Sequence, residues 1–433
     1  MTTVIVNIGQ LVTLAGPARP RIGAELRELG ILRDAALIID EGRILAAGTY
    51  ADLCSEIPPV ADIIDAAGRC VTPGFVDAHT HLVFAGNRAA EFEQRIAGAT
   101  YQQIAASGGG ILRTVALTRA ATSDELLTAA RRHRDWMLRS GTTTIEAKSG
   151  YGLDGPTEKR MLQVIAQLDA EGPARLVPTL LAAHTVPPEF ASRRKEYVYW
   201  IAEDLIPEVA DAHLARFCDA FCDDHAFTLD ETHIVLSAAK RKGLRLRIHA
   251  EQFRPHTGAA LAAELGAATA DHLEMVTEDT LHQLRIAGVQ PVVLPGSVFA
   301  LSRTQYPPAR KMIETDLAIV LATDFNPGSS PIASMPFVMS LACLNMGLSP
   351  AEALSAATIN AAFSLDLGKV VGSLEAGKQA DLLIHEFDDY RELAYFIAAP
   401  VRPRVFVAGN EVSFETAVDQ PSDLAQRIAP KVA

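Results

Sequence analysis

The chain has 433 residues, 49% of them hydrophobic and 21% charged, so it is long enough for a large core and more than one domain. Its 39 Lys and Arg residues against 52 Asp and Glu residues leave a net charge of −13. That balance argues against a nucleic-acid binder and against a polybasic membrane-surface protein. Five scattered cysteines predict no disulfide scaffold and favour a reducing compartment.

Two stretches bear on targeting. The first sixteen residues contain no basic segment, and Asn7, Gly9 and Gln10 interrupt their apolar run, so we expect no signal peptide. The longest uncharged stretch, 325–351, contains four prolines and therefore predicts no membrane span. Together with the acidic composition, these features predict a cytoplasmic protein.

Both ends of the chain have a β-rich pattern. Short β-branched runs cover much of 1–60, and similar runs return at 380–387 and 404–412. Because chain termini often lie close together, we expect the two ends to form one small domain. The predicted limits are 1–68 and 366–433 for the two parts of this domain, and 69–365 for the domain between them.

The central part alternates candidate strands with helical patterns. Ser123, followed by two acidic residues, is the predicted N-cap of one helix, and Thr228 with Glu231 fits a capping box before another. Eight strand–helix repeats predict an α/β fold, a TIM-like (β/α)8 barrel. A doubly wound open sheet is the alternative, but no GxGxxG follows a strand. The predicted strands are 70–79, 142–148, 175–183, 216–222, 244–250, 267–273, 290–296 and 318–324.

Several histidines fall at the C-terminal ends of these strands. His79 and His81 form an H-x-H pair, and the period of two places both side chains on one face. His249, His272 and Asp324 lie at the ends of the fifth, sixth and eighth strands. Active sites of (β/α)8 barrels lie at this end, and imidazole with carboxylate suits zinc or ferrous iron. The pattern therefore predicts a metal site.

A metal ion held by three histidines and one aspartate predicts hydrolysis. The pKa of a metal-bound water can fall to about 7, which makes hydroxide available near neutral pH. Asp324 or His272 could accept the proton and pass it to a leaving nitrogen. The sequence thus predicts cleavage of a carbon–nitrogen or similar bond. We expect no organic cofactor, since there is no P-loop, dinucleotide fingerprint or serine elbow.

Longer segments resemble a known family. PGFVDAHTH at 73–81, the later strand-end histidines and Asp324 resemble the amidohydrolase superfamily, which implies the barrel and a β-sandwich domain built from both chain ends. Further segments are similar to the imidazolonepropionase family: 77–98, 107–111, 146–153, 182–190, 249–253, 270–274 and 322–331. This resemblance implies hydrolysis of the ring C–N amide bond of 4-imidazolone-5-propanoate to N-formimidoyl-L-glutamate, in histidine degradation, by a metal-activated water.

The resemblance also implies roles for individual residues. It implies one metal ion, either divalent Zn²⁺ or iron as Fe²⁺ or Fe³⁺, and a homodimer. The implied metal ligands are His79, His81, His249 and Asp324. The expected substrate-binding residues are Arg88, Tyr151, His184, Gln252, Asn326, Gly328 and Ser329. A guanidinium fork such as that of Arg88 suits the propanoate carboxylate of the substrate. His272 and Asp324 are the expected proton-transfer residues.

Two departures from the superfamily pattern qualify this interpretation. The predicted fourth strand does not end in the lysine that bridges two metals in many members, so one ion is expected; Lys148 ends the second strand instead. Gln252 stands where related deaminases have glutamate, and an amide cannot shuttle protons, which leaves His272 as the better candidate. The alternatives are a deaminase of the guanine or cytosine type with the same ligands, and a non-catalytic scaffold.

Overall fold

The computed structural model describes residues 2–99, 103, 108–223, 226–255 and 257–414. Its strands form two eight-stranded sheets, one mixed and one parallel. Residues 415–433 of the predicted small domain and Ser107 of the segment 107–111 lie outside the described residues.

The mixed sheet takes its strands from both chain ends. They are β1 (Thr3–Val12), β2 (Ile31–Asp40), β3 (Arg43–Thr49), β4 (Asp62–Asp65), β5 (Cys70–Pro73), β14 (Leu382–Ile384), β15 (Arg404–Val407) and β16 (Asn410–Glu411). The order is β16-β15-β14-β5-β1-β2-β3, and β4 also pairs with β1. Ile5 and Val4 on β1 belong to different buried clusters, so both faces of the sheet are covered. The prediction of one small β domain from both ends is confirmed.

The parallel sheet is the predicted (β/α)8 barrel. Its strands are β6 (Phe75–Asp77), β7 (Thr142–Lys148), β8 (Arg175–Ala183), β9 (Phe217–Cys222), β10 (Arg245–Ala250), β11 (Thr269–His272), β12 (Gln290–Val293) and β13 (Val320–Leu321). They pair consecutively, and an isolated parallel bridge between Thr80 and Phe325 links the segments that follow the first and the last strand. The predicted fold class is thereby confirmed.

Helices connect these strands. The described α-helices are Tyr50–Leu53, Ala89–Ile96, Ile111–Ala120, Ser123–Arg139, Gly155–Glu171, Arg194–Trp200, Ile206–Asp211, Leu229–Arg241, Gly258–Leu265, Glu278–Ala287, Pro295–Ala300, Ala309–Glu314, Met335–Met346, Pro350–Ala356, Ile359–Ser364 and Glu392–Tyr395. The capping box of Thr228 and Glu231 is confirmed. The cap of the helix Ser123–Arg139 was predicted one residue late, because the Thr122 hydroxyl accepts the N–H of Glu125.

The predicted strand 70–79 is divided between the two sheets. Cys70–Pro73 pairs with β1 and β14 of the mixed sheet, whereas Phe75–Asp77 pairs with β7 of the barrel. Gly74 lies at the crossing, where a Cβ atom would stand 2.3 Å from Oγ1 of Thr143. A residue without a side chain is therefore needed at this point. The domain limits 1–68, 69–365 and 366–433 remain a prediction.

Side chains inside the barrel form layers that position the functional end. An apolar cluster that includes Phe217 and Val320 lies against the helix Ile359–Ser364. Above it lies a set of fully buried charged side chains, here called the ionic layer: Glu146, Lys148, Asp219, Arg247 and Asp271. Because strand side chains alternate, Asp219 follows Phe217 on one face, and His249 follows Arg247. The histidines therefore form the uppermost layer.

Candidate active site

Five predicted side chains meet at the C-terminal end of the barrel. His79 and His81 follow β6, His249 lies in β10, His272 ends β11 and Asp324 follows β13. The ring centre of His79 lies 5.5 Å from that of His81, 4.5 Å from that of His249 and 5.7 Å from that of His272. Oδ1 of Asp324 lies 3.6 Å from Nε2 of His79 and 3.5 Å from Nε2 of His81.

Two overlapping groups of these residues could hold a metal ion. They are His79, His249 and His272, and His79, His81 and Asp324; within each group the ligand atoms lie within 4.8 Å of one another, and all are buried. Nε2 of His79 and Nε2 of His249 are buried without a hydrogen-bond partner. Since buried polar atoms normally have a partner, these free nitrogens fit metal ligation.

The protonation of the histidines also fits a metal ion. Burial, together with the nearby Lys148 and His249, holds the pKa of His79 well below its ordinary value. Burial and the neighbouring His249 do the same to the pKa of His81. Both rings are therefore neutral at physiological pH, which is the form that binds a metal.

His272 and Asp324 have unusual backbone conformations. Their φ angles are +81° and +54°, in the left-handed region that residues with a Cβ rarely adopt, and such strain is frequent at functional sites. Nδ1 of His272 lies 3.5 Å from the Glu274 carboxylate. Burial lowers the pKa of His272, whereas the carboxylates of Glu274, Asp324 and Asp271 raise it. The carboxylates have the larger combined effect, so the pKa of His272 lies above its ordinary value.

Two carboxylates of the ionic layer face His79 and His249 from below. Oδ2 of Asp271 lies 2.6 Å from Nδ1 of His79 in a hydrogen bond, and Oδ2 of Asp219 lies 3.0 Å from Nδ1 of His249. The contact of His249 is at ion-pair distance but lacks the alignment of a hydrogen bond. The sequence analysis missed both aspartates. No local signal indicates Asp271, because the period of two would place it on the face of β11 opposite to its neighbour His272, whose left-handed backbone departs from that alternation.

Arg88 lies at the edge of this site, before the helix Ala89–Ile96. Its Nε donates to the Thr114 hydroxyl at 3.0 Å. A Cβ atom on Gly328 would stand 2.5 Å from Nη1 of Arg88, so the guanidinium packs directly against this glycine. Because Gly328 has no side chain, the Arg88 guanidinium can occupy the space beside it.

A buried glutamate holds the loop that carries Tyr151. The Glu158 carboxylate accepts the backbone N–H groups of Gly150, Gly152 and Leu153 at 3.0, 2.8 and 2.8 Å. The ring centre of Tyr151 lies 5.8 Å from that of His81. Burial raises the pKa of the Tyr151 phenol, so its hydroxyl keeps its proton and is a hydrogen-bond donor.

His184 follows β8 and stacks on His81, with ring centres 5.0 Å apart. Its Nδ1 lies 3.0 Å from the carbonyl oxygen of Gly150. Because a carbonyl can only accept, Nδ1 carries the proton and Nε2 is left as an acceptor. Burial, with the neighbouring His81 and His249, keeps the pKa of His184 well below its ordinary value.

The loop after β13 is organised by Asn326. Its Oδ1 accepts the backbone N–H groups of Gly328 and Ser329 at 2.8 and 2.7 Å. Its Nδ2 donates to the Asp324 carbonyl at 2.6 Å and to the Ser329 hydroxyl at 2.9 Å. These four bonds use the full hydrogen-bonding capacity of the amide, so Asn326 shapes the loop that holds Ser329 beside Asp324.

Gln252 is buried three residues after His249, beyond the end of β10. Its backbone carbonyl accepts a hydrogen bond of 2.7 Å from Nη1 of Arg303, whose guanidinium lies over the Phe253 ring. These contacts fix the backbone of this short segment, which follows His249.

Comparison with known proteins gives a family match over most of the chain. The amidohydrolase family matches residues 70–412. The imidazolonepropionase of Solibacter usitatus (strain Ellin6076) is 55% identical over 406 residues, which are 94% of this chain and 97% of that protein. The imidazolonepropionase of Streptococcus sanguinis (strain SK36) is 44% identical over 393 residues, 91% of this chain and 93% of that protein.

Solved structures are similar at lower identity. An adenosine deaminase from Xanthomonas campestris with bound zinc has a TM-score of 0.69 and 20% identity, and the match covers 94% of this chain and 92% of that one. A 5-methylcytosine deaminase from Klebsiella pneumoniae has a TM-score of 0.71 and 16% identity, covering 96% and 98%. At these identities the similarity shows the fold alone.

Proposed function

The chain belongs to the amidohydrolase family and, within it, to the imidazolonepropionases, and we propose that it hydrolyses 4-imidazolone-5-propanoate to N-formimidoyl-L-glutamate in histidine degradation. The bond that breaks is the ring C–N amide bond. The observation that carries the proposal is the convergence of buried imidazoles and the Asp324 carboxylate, with Nε2 of His79 and of His249 unpartnered and Arg88 at the edge of the same barrel end.

We further propose that His79, His81, His249 and Asp324 hold one divalent ion, zinc or iron. Such an ion, when bound, polarises a carbonyl and supplies hydroxide near neutral pH. The donor set of three imidazoles and one carboxylate suits both metals. Ligand atoms about 2.0–2.2 Å from one ion are roughly 3–3.5 Å apart, close to the separations of 3.5 and 3.6 Å from Asp324 to the two histidines.

Arg88 binds the propanoate carboxylate in this proposal. Thr114 accepts the Nε–H bond, so the two terminal nitrogens remain as a fork that matches a carboxylate. The backbone of Gly328 packs against one side of the guanidinium, and without a side chain it does not cover the two terminal nitrogens. The chain carries a net charge of −13, so an anionic substrate requires such a local positive group.

The imidazolone ring is held at its edge by donors and acceptors. The Tyr151 hydroxyl donates to a ring heteroatom, and Nε2 of His184 accepts a ring N–H. The Gln252 amide and the Ser329 hydroxyl supply further polar contacts in the proposed complex. Because these groups come from four different loops, they fix the orientation of a flat ring relative to Asp324.

Hydrolysis adds the hydroxyl of water to the ring carbonyl carbon and a proton to the departing nitrogen. His272 and Asp324 are the proposed carriers of that proton, since both lie beside the metal-ligating histidines. Glu274 beside Nδ1 of His272 supports a protonated form of this ring.

A steady-state assay tests the proposal directly. Purified protein loaded with zinc or iron is mixed with 4-imidazolone-5-propanoate, and formation of N-formimidoyl-L-glutamate is followed. We expect turnover that disappears when the metal is removed with a chelator and returns when it is restored. No turnover by metal-replete protein would contradict the proposal, and ammonia release from guanine or cytosine would favour the deaminase alternative.

Location and assembly complete the proposal. No helix within the described part of the chain is long and apolar enough to cross a membrane. The five cysteines all lie within the described residues and form no disulfide, which supports the proposed cytoplasmic location. We also propose a homodimer, which analytical ultracentrifugation would test: a single monomeric species at micromolar concentration would contradict it.

A further inference from the structure

The ionic layer contacts the H-x-H segment at successive residues. Nη2 of Arg247 donates to the Ala78 carbonyl at 2.7 Å, and Oδ2 of Asp271 lies 2.6 Å from Nδ1 of His79. Oε2 of Glu146 accepts the backbone N–H of Thr80 at 3.1 Å. Residues 78, 79 and 80 are thus each bonded to a different buried charged side chain.

The members of the layer also hold one another. Nζ of Lys148 lies 2.7 Å from Glu146 and 2.8 Å from Asp219, and Nη2 of Arg247 lies 3.5 Å from Asp271. All five side chains have 0% exposure, so three carboxylates face two cations away from water. Such a network is costly to assemble in the interior and is weak evidence for stability alone.

We propose that the ionic layer is a positioning device for the metal ligands, with Asp271 as the residue that orients His79. The Asp271 carboxylate accepts Nδ1–H of His79, which fixes the tautomer and presents Nε2 as a free electron pair. Asp219 faces Nδ1 of His249 in the same way, at 3.0 Å and with poorer alignment. The inference rests on the metal-dependent function proposed above.

Zinc binding by the apoprotein tests this role without an activity assay. Asp271→Asn, Asp219→Asn and Asp381→Asn keep side-chain shape and remove one charge each. Asp381 is the matched control, because it is a buried carboxylate of the mixed sheet that bonds to Gln379 and to the Ala408 backbone. The dissociation constant for Zn²⁺ is measured by competition with a chelator, and thermal melting of each apoprotein reports its folding.

Asp271→Asn should weaken zinc binding by about 10- to 100-fold, as loss of a carboxylate behind a ligating histidine does. Asp219→Asn should weaken zinc binding less, because the contact of Asp219 with His249 is less well aligned. Asp381→Asn should leave the dissociation constant for zinc within about threefold of the parent value while lowering the melting temperature. The absorption bands of the Co²⁺-substituted protein should shift in Asp271→Asn but not in Asp381→Asn.

Two results would overturn the inference. Parent-like zinc binding by folded Asp271→Asn would show that the contact does not position His79. An equal loss in Asp381→Asn would show that general loosening of the fold explains the effect. If Asp271→Asn does not fold as the apoprotein, Asp219→Asn decides alone on the same criteria. Failure of the parent protein to bind any zinc or iron would instead contradict the proposed function.

Discussion

The barrel and the mixed sheet both bury acidic side chains, but these side chains bond to different kinds of group. In the mixed sheet, Asp381 accepts the backbone N–H of Ala408 at 2.8 Å and the amide of Gln379 at 2.9 Å. In the barrel, Asp271 accepts Nδ1–H of His79. The first arrangement completes the hydrogen bonding of the sheet, whereas the second leaves the far nitrogen of the histidine available for a ligand.

Buried histidines show the same difference. His385, beside β14, has its Nε2 2.9 Å from the Thr72 hydroxyl and its ring stacked on Phe387. His79 lies within 6 Å, ring centre to ring centre, of three other histidines. Burial of an imidazole therefore does not identify a site; convergence of several imidazoles and a carboxylate does.

Loss of a proposed metal ligand should lower activity more than the other substitutions do. It should also distinguish most clearly the barrel histidines from the buried histidine of the mixed sheet. His249→Ala is expected to lower kcat/KM by about 10³-fold. A bound metal ion stabilises the charge of the transition state by several kcal/mol, and each ~1.4 kcal/mol of barrier changes the rate about tenfold. Bound metal should fall in parallel. His385→Asn, in the mixed sheet, should retain both. Steady-state kinetics and elemental analysis compare the activity and metal content of the two variants. An active, metal-loaded His249→Ala would contradict the role of His249 as a metal ligand.

His272→Gln should have the next largest effect. Loss of a proton-transfer group is expected to lower kcat by about 10²- to 10³-fold while KM changes little. Metal content is the decisive second measurement, because His272 also lies in one of the two groups that could hold an ion. Retained metal supports proton transfer, and loss of metal would make His272 a ligand.

Arg88→Ala should affect binding more than chemistry. A charge-assisted hydrogen bond contributes about 1.5–3 kcal/mol, so KM is expected to rise by about 10- to 100-fold with kcat within a fewfold. Arg404→Ala is the matched control, because Arg404 pairs with Glu411 at the surface of the mixed sheet. An unchanged KM in Arg88→Ala would remove Arg88 from the proposed carboxylate site.

His385 should affect stability in acid and not activity at neutral pH. Burial lowers the pKa of His385 to about 3 from 6.5, so the unfolded chain binds more protons between these values. Stability therefore rises with pH across this window and is lost as pH falls through it. His385→Asn should reduce the loss of unfolding free energy between pH 6.5 and 4.5 by about 2 kcal/mol in urea titrations. An identical loss in both proteins would contradict the shift.

The sequence predicted the barrel and the convergence of its strand-end histidines because both depend on local signals. Strand periodicity and position at strand ends suffice for His79, His81 and His249. The partner of His79 was not predictable in this way, because Asp271 lies 192 residues away and only strand pairing brings it near. The packing of Arg88 on Gly328 and the change of sheet at Gly74 likewise depend on contacts between distant segments.

Anomalous diffraction from a crystal of the metal-replete protein tests the central claim most directly. We predict a single metal peak about 2.0–2.2 Å from Nε2 of His79, His81 and His249 and from a carboxylate oxygen of Asp324. With a substrate analogue bound, its carboxylate should lie at Arg88. Two metal peaks, or one peak outside this set of ligands, would contradict the account.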